Sequence, residues 1–268
     1  MMKYQKILLL ICIIFFIPPN YVLKAQRTKS STNSGEQRFS EKGLRDNRHF
    51  FYFINPTLSN FGDIDDTALF KKAIQRDIIS QILYMKFIFH DSFTEIRKVQ
   101  EILITLYTKT IIKEHETAKK LLNNYAPEVI KSNKYINKHY LELGYKNLVG
   151  SKQFMVMADN FKENLFSLKL YQYIKAIKKA KLAKRYAILS LLFTRFDKKR
   201  DLKNYKHYNF DDLEKLILEM DQDSKENLLL LHYDNYYKVK DKVSFYDKIW
   251  LEPNLQEIDE YKEYFNKK

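Results

Sequence analysis

Residues 132–197 read SNKYINKHYLELGYKNLVGSKQFMVMADNFKENLFSLKLYQYIKAIKKAKLAKRYAILSLLFTRFD. Gly144 and Gly150 are the only glycines in this stretch, and it has no proline. In its second half Leu170, Tyr173, Ile174 and Ile177 fall at i, i+3, i+4 and i+7, which places them on one helical face. Leu182, Ala183, Tyr186, Ala187, Leu189, Ser190 and Phe193 continue a mixture of small and large residues suited to packed helices. Lys175, Lys178, Lys179, Lys181, Lys184 and Arg185 lie between the apolar positions. A stretch this rich in helical period and this poor in breakers fixes the fold class as all-α, in helical hairpins or an irregular bundle.

The flanking sequence agrees. No proline occurs between Glu128 and Glu252, and no segment alternates apolar and polar residues between turn glycines as strands do. Gly62-Asp63-Ile64-Asp65-Asp66 reads as a helix start with acids in the first turn, and residues 67–90 follow the helical period through Leu69, Ala73, Ile74, Ile78, Ile82, Met85 and Phe89. Ser92-Phe-Thr-Glu95 resembles a capping box opening the next helix. Pro127 suits the first turn of a further short one. Later starts are expected near Asn133, Ser151, Glu163, Asp211 and Asp223.

The N-terminal end carries different signals. Lys3 and Lys6 precede an apolar run, residues 7–17, that is too short to span a bilayer, and Pro18, Pro19 and Asn20 end it. Ala25 is suited to the position before a cleavage. Residues 1–25 are therefore expected to be a secretory leader and the mature chain to be exported to the periplasm or cell envelope, with an uncleaved anchor as the alternative. The single cysteine, Cys12, lies inside the apolar run. It is flanked by Ile11 and Ile13, which does not suit lipid attachment. Without it disulfides, thiol catalysis and Cys-ligated zinc are excluded from the mature chain. Residues 26–48 are polar and aperiodic, so residues 26–62 are expected to form a flexible tether with an aromatic segment, Phe50, Phe51, Tyr52 and Phe53, beside the helix breaker Pro56. Residues 63–268 are expected to be the helical domain, with a sub-boundary near 126–132.

The chain has 268 residues and a formal net charge of +14. Loss of residues 1–25 removes Lys3, Lys6 and Lys24 from that +14 and leaves +11, a surplus that favours acidic partners. Six histidines occur, at 49, 90, 115, 139, 207 and 232, without metal-site spacing. His115-Glu116 has Lys119 where a zincin motif needs its second histidine, and no Glu stands three residues before any histidine. Asp63, Asp65 and Asp66, like Asp221, Asp223 and Glu226, lack the central glycine of a calcium loop. Nucleotide-binding loops and nucleophile elbows need glycines in clusters, and the whole chain has five, all scattered. No cofactor, metal or catalytic residue is therefore assigned. The basic run beside Tyr171 and Tyr186 has the composition of a nucleic-acid surface, but an exported chain argues against that partner.

Tyr140-Leu-Glu-Leu143-Gly144-Tyr145 resembles the first helix of a tetratricopeptide repeat, with Leu148, Phe154, Phe161 and Met157-Ala158 following after a one-residue insertion and residues 167–196 forming a more degenerate second pair. The leader, the Lys-, Ile- and Tyr-rich composition and the run Ala183 to Ala187 (AKRYA) resemble conserved spirochaete envelope proteins. That resemblance implies a periplasmic protein working in a complex. Lys42-x-Leu44-x-Asp46 loosely matches a eukaryotic parasite export pattern, with Lys in place of its defining Arg.

These readings make the chain a non-enzymatic protein-interaction scaffold or complex subunit. A peripheral protein on an anionic membrane surface and an enzyme with an unrecognised site are the alternatives. The expected partner is another envelope protein with an acidic surface, held by Tyr171, Lys175, Lys178, Lys179 and Arg185, or else by Phe50, Phe51, Tyr52 and Phe53.

Overall fold

The computed structural model describes residues 30–196, 222–234, 239 and 244–265. The expected leader, the helix start near Asp211 and His207 lie outside them. Among the described residues eight α-helices follow one another: α1 Ser30–Phe61, α2 Ile64–Met85, α3 Phe89–Lys131, α4 Tyr135–Asp159, α5 Phe166–Phe196, α6 Gln222–Tyr233, α7 Phe245–Leu251 and α8 Tyr261–Phe265, with a short 3-10 turn at Leu255–Glu257. No strand occurs among the described residues. None of their helices is long and apolar enough to cross a membrane.

The 43-residue α3 is the axis of the bundle, roughly 65 Å long at 1.5 Å per residue. Its Val99, Leu103, Leu106, Tyr107 and Ile111 have no exposed surface. They meet Phe50, Phe53 and Ile54 of α1, Phe70 and Ile74 of α2, and Leu170, Tyr173, Ile174 and Ile177 of α5 in one core. The four α5 residues thus face inward, as their spacing predicts. Further along, Ala118 and Leu122 of α3 pack with Leu141 and Leu148 of α4 and Ala183 and Ala187 of α5. Small residues let α4 and α5 close on each other. A Cβ on Gly144 would stand 2.5 Å from the buried Leu122 Cδ2 and 3.5 Å from the Ala183 carbonyl oxygen.

Several expectations are corrected. Residues 135–159 and 166–196 are each one continuous helix, so the stretch folds as a single antiparallel pair and not as two tetratricopeptide-like pairs; no break occurs near Ser151. Pro127 lies inside α3, and Ser92, rather than opening a helix, is buried within it, donating to the Ser80 carbonyl at 2.8 Å. The largest change is at α1. Its residues from Ser30 form helix through Pro56 to Phe61 where a tether was expected. The inward face runs Ser40, Gly43, Asn47, Phe50, Ile54 and Leu58, all buried at i, i+3/i+4 spacing. Its first half is polar or small, so it carries no hydrophobic period. Each polar group is answered instead: Ser40 Oγ donates to the Phe89 carbonyl (2.9 Å), Asn47 Nδ2 to Asp77 (2.8 Å), and Tyr171 Oη to Asp46 (2.9 Å). A Cβ on Gly43 would stand 2.6 Å from Ile96 Cγ2, so α1 lies close against α3 there.

At the α1–α2 turn Asp63 caps α2 as its sequence implies, accepting from the Asp66 amide at 2.7 Å. The C-terminal segment is strapped across α2 and α3 by polar contacts. Glu257 pairs with Lys71 (2.7 Å), Glu260 with Arg76 (2.9 Å) and Lys98 (3.0 Å), and Gln75 donates to the Asn254 carbonyl (2.9 Å). Ile258 is buried against Ile79 and Leu83.

Candidate functional site

The expected basic site is divided by the packing of α5. Lys175 and Lys179 turn toward α4, Lys175 over the Phe154 ring at 5.7 Å and Lys179 donating to Asn147 Oδ1 at 3.1 Å. Lys178 turns toward α1, 5.6 Å from the Phe53 ring centroid. Arg185 is exposed. Tyr171 is half-buried between His49 and Phe50, with ring centroids 5.6 and 5.0 Å away. Phe50, Phe51 and Phe53 are core residues, so the aromatic strip is not an exposed surface. Only Tyr52 of that group faces out, at 64% exposure.

Between these lysines lies a buried ion cluster that the sequence did not announce. Lys181 and Lys184 are almost fully buried. Lys181 Nζ pairs with Asp234 (2.8 Å) and donates to Thr57 Oγ1 (2.9 Å). Lys184 pairs with Asp234 (2.6 Å) and with Glu114 of α3. Burial works against all of these charges, but two ammonium groups facing two carboxylates outweigh it: the Lys184 pKa is raised and that of Asp234 lowered. The cluster is neutral as a unit and joins α1, α3, α5 and α6. A cavity of about 370 Å³ beside it is lined by Thr57, Asp63, Asp66, Lys109, Lys113 and Glu114 among others. There Lys109 pairs with Asp66 (3.2 Å) and Lys113 donates to the Phe61 carbonyl (3.0 Å), so its cations are already engaged.

The larger cavity differs. About 740 Å³ in volume, it lies between α1, α2 and α7. From α1 come Leu44, Arg45, Arg48, Tyr52 and Asn55, from α2 Asp77 and Gln81, and from α7 Tyr246, Asp247 and Trp250. Arg45, Arg48, Tyr52 and Asn55 stand at i, i+3, i+7 and i+10, a stripe on the side of α1 away from the core. The α7 wall is hung on α1 by backbone amides, Phe245 N–H donating to Ser59 Oγ (3.1 Å) and Tyr246 N–H to Asn55 Oδ1 (3.3 Å). Ser244 caps α7 through the Asp247 amide. Trp250, the only tryptophan in the sequence, is 41% exposed and lies nearly parallel to Tyr246, with centroids 5.9 Å apart at 11°.

Asp77 forms the floor. Its side chain is buried, and burial pushes its pKa up to about 6 although Asn47 and Gln81 both donate to it at 2.8 Å and Arg48 lies near. Burial, with Asp77 nearby, also pushes the Tyr246 hydroxyl up to about 12. Asp247 accepts from Ser244 Oγ at 2.6 Å. Among the described residues no hydrogen bond or ion pair engages the Arg45 and Arg48 guanidinium groups. No group of His, Asp or Glu positioned to hold a metal occurs among the described residues. The cleft can therefore bind through aromatic faces, two open guanidinium groups and side-chain amides. Of its residues only Tyr52 was among the expected ones. The signals that point to the rest are the helical stripe from Arg45 to Asn55 and the lone Trp250.

Residues 34–264 match the family model described as surface protein adhesin OmpL37. No curated protein and no solved structure matches the chain.

Proposed function

The chain belongs to the OmpL37 surface protein adhesin family, and from that premise we propose that it works at the cell surface as a non-enzymatic adhesion protein whose binding site is the α1–α2–α7 cleft. Its location rests on the family and on the leader-like residues 1–25; residues 26–268 are the working protein in this reading. The observation that carries the choice of site is the state of the cations. Lys179, Lys181 and Lys184 are engaged inside the bundle, whereas Arg45 and Arg48 face an open cavity rimmed by Tyr52 and Trp250. Tyr, Trp and Arg are the side chains that most often anchor an interface, because each buries a large rigid area or a strong multi-donor group. The partner expected from this surface presents acidic groups.

The test is adhesion. Cells displaying residues 26–268 should adhere to an immobilised extracellular-matrix extract, and Tyr52→Ala with Trp250→Ala should remove most of that adhesion at equal display. Adhesion unchanged in the double variant would move the site away from the cleft.

A second reading, contact with an anionic membrane, is favoured by the α2–α3 turn. Met85, Phe87 and Ile88 are exposed there beside Lys86, and Phe87 has a backbone φ of 62° and 79% exposure. Flotation with anionic vesicles, compared between the native chain and Phe87→Ser, decides it: equal flotation removes this reading.

A further inference from the structure

We propose that the α1–α2–α7 cleft is a saccharide site for a chain bearing carboxylate groups, in which a sugar ring lies on Trp250 and its carboxylate is taken by Arg45 and Arg48. This rests on the adhesion reading for the cleft's role, but the ligand class is argued from the cleft alone.

Three features converge on it. The first is charge left facing the opening. Arg45 and Arg48 project from successive turns of α1 into a cavity of about 740 Å³ with no ion-pair partner among the described residues. A guanidinium presents a planar fork of donors that matches a carboxylate. Two carboxylates share the cleft, but Asp77 is buried and accepts from Asn47 and Gln81, and Asp247 accepts from Ser244. With Asp77 withdrawn on the floor, the two arginines outnumber the one exposed carboxylate, Asp247, at the opening.

The second feature is the flat rim. Tyr246 stacks on one face of the Trp250 indole and holds it, the 41% of Trp250 that stays exposed gives the rim an apolar aromatic surface, and Tyr52 is exposed on the α1 side. A pyranose has a face of C–H bonds that covers such a ring and a periphery of hydroxyls that does not. The third is the set of amides. Asn55 Oδ1 accepts from Tyr246 N–H and Ser59 Oγ, and Gln81 Nε2 donates to Asp77, which leaves the Asn55 amide as a donor and the Gln81 carbonyl as an acceptor for sugar hydroxyls. Aromatic face, amide edge and cationic lip thus match the three kinds of surface on one acidic sugar unit.

Peptides fit less well. An amphipathic helix needs a continuous apolar groove, and this lining mixes apolar and charged groups throughout. Strand addition needs a sheet edge, and the described residues contain none. A proline-rich peptide would use the aromatic rings but has no need of the arginine pair. A cationic ligand would meet both arginines at the entrance.

The sole tryptophan makes the test direct, because emission from the chain reports the cleft. Residues 26–268 are titrated at low salt with a hexameric polyuronate and, separately, with a neutral hexameric glucan. The polyuronate should give a saturable change in Trp250 emission and the glucan none. Arg45→Gln with Arg48→Gln should weaken polyuronate binding at least tenfold while far-UV circular dichroism stays unchanged. Trp250→Ala, followed by calorimetry, should weaken it by a similar factor. Lys146→Gln with Lys152→Gln, on the exposed side of α4, should leave it unchanged, which separates the site from general attraction to a basic protein.

No saturable change, an equal response to the neutral glucan, or full binding by the arginine variant overturns the proposal. So does binding of a proline-rich peptide at the cleft without binding of the polyuronate. The adhesion assay separates the two levels. Cleft-dependent adhesion without polyuronate binding sinks the ligand class and keeps the adhesin reading; polyuronate binding that depends on the arginines, without adhesion, does the reverse.

Discussion

Lys181 and Lys184 on α5 and Arg45 and Arg48 on α1 are the same device in sequence: two cations three residues apart on a long helix. Their fates are opposite. The lysines are almost fully buried and close an ion cluster with Glu114 and Asp234, whereas both arginines are exposed at the lip of a cavity. What differs is the element across from them. α5 lies under α6, which brings Asp234 over both ammonium groups. α1 faces α2 and α7 across a gap whose carboxylates are already held by Asn47, Gln81 and Ser244. A cation pair becomes structural or available according to the carboxylates that the tertiary packing delivers, and helix spacing alone does not distinguish the two.

The sharpest test of the closed side is Lys184→Met. It leaves Glu114 buried without its cation and should lower stability by about 3–5 kcal/mol in chemical denaturation. Adding Glu114→Leu leaves the neutral Lys181–Asp234 pair and should recover a large part of the loss. A loss under about 1 kcal/mol for the single change would mean that the cluster behaves as a surface ion pair.

Next in size, again at about 3–5 kcal/mol, is Phe50→Ala, because Phe50 has no exposed surface and anchors α1 on α3. A near-neutral result would show that α1 is dispensable to the core and that the cleft has no fixed wall.

Asp77 supplies a test of the open side through pH. Its folded pKa, about 6, lies above the ordinary 3.8, so its contribution is fully present below pH 3.8 and is lost as pH rises toward and through 6. The loss amounts to about 3 kcal/mol. Asp77→Asn should flatten the stability profile in that window. Glu260 works in the opposite sense. Burial pushes its pKa up, but Lys98 and Arg76 hold it down at about 2, so its contribution is fully present above the ordinary 4.5 and is lost as pH falls from there through 2. The two windows overlap only between 3.8 and 4.5 and run in opposite senses, so stability measured across the titration, with Asp77→Asn beside the native chain, resolves them.

Gly144→Ala should cost about 1–3 kcal/mol, since the added methyl would press on the buried Leu122. The smallest expected effect completes the comparison: Arg45→Gln with Arg48→Gln should move stability by no more than about 0.5 kcal/mol. A larger loss would mean that the arginines, like the lysines, are structural.

The helical class and the inward face of α5 were legible because Leu170, Tyr173, Ile174 and Ile177 are apolar at helical spacing. The Asp63 cap was legible because capping is local. α1 was not, because Ser40, Gly43, Asp46 and Asn47 make its buried face without making it hydrophobic, and their partners lie 30 or more residues away on α2, α3 and α5. Pro56 reinforced the wrong reading; a helix packed through Phe53, Ile54 and Leu58 continues past it. The candidate site was legible only at Tyr52. Its other walls come from segments almost 200 residues apart, and no local period joins Arg48 to Trp250.

The polar half of α1 also determines where that helix stops along its own axis. Hydrophobic faces tolerate sliding, since one methyl resembles another, but a donor meets its acceptor at one offset only. Ser40 on the Phe89 carbonyl, Asn47 between Asp77 and Gln100, and Asp46 under Tyr171 act as marks on a scale. A slip by one helical turn, about 5.4 Å, would separate all of them at once while leaving much of the apolar contact intact. The register so fixed sets Arg45, Arg48, Tyr52 and Asn55 opposite Asp77, Gln81 and Trp250, so the hydrogen bonds on the inner face of α1 align the charged groups on its outer one.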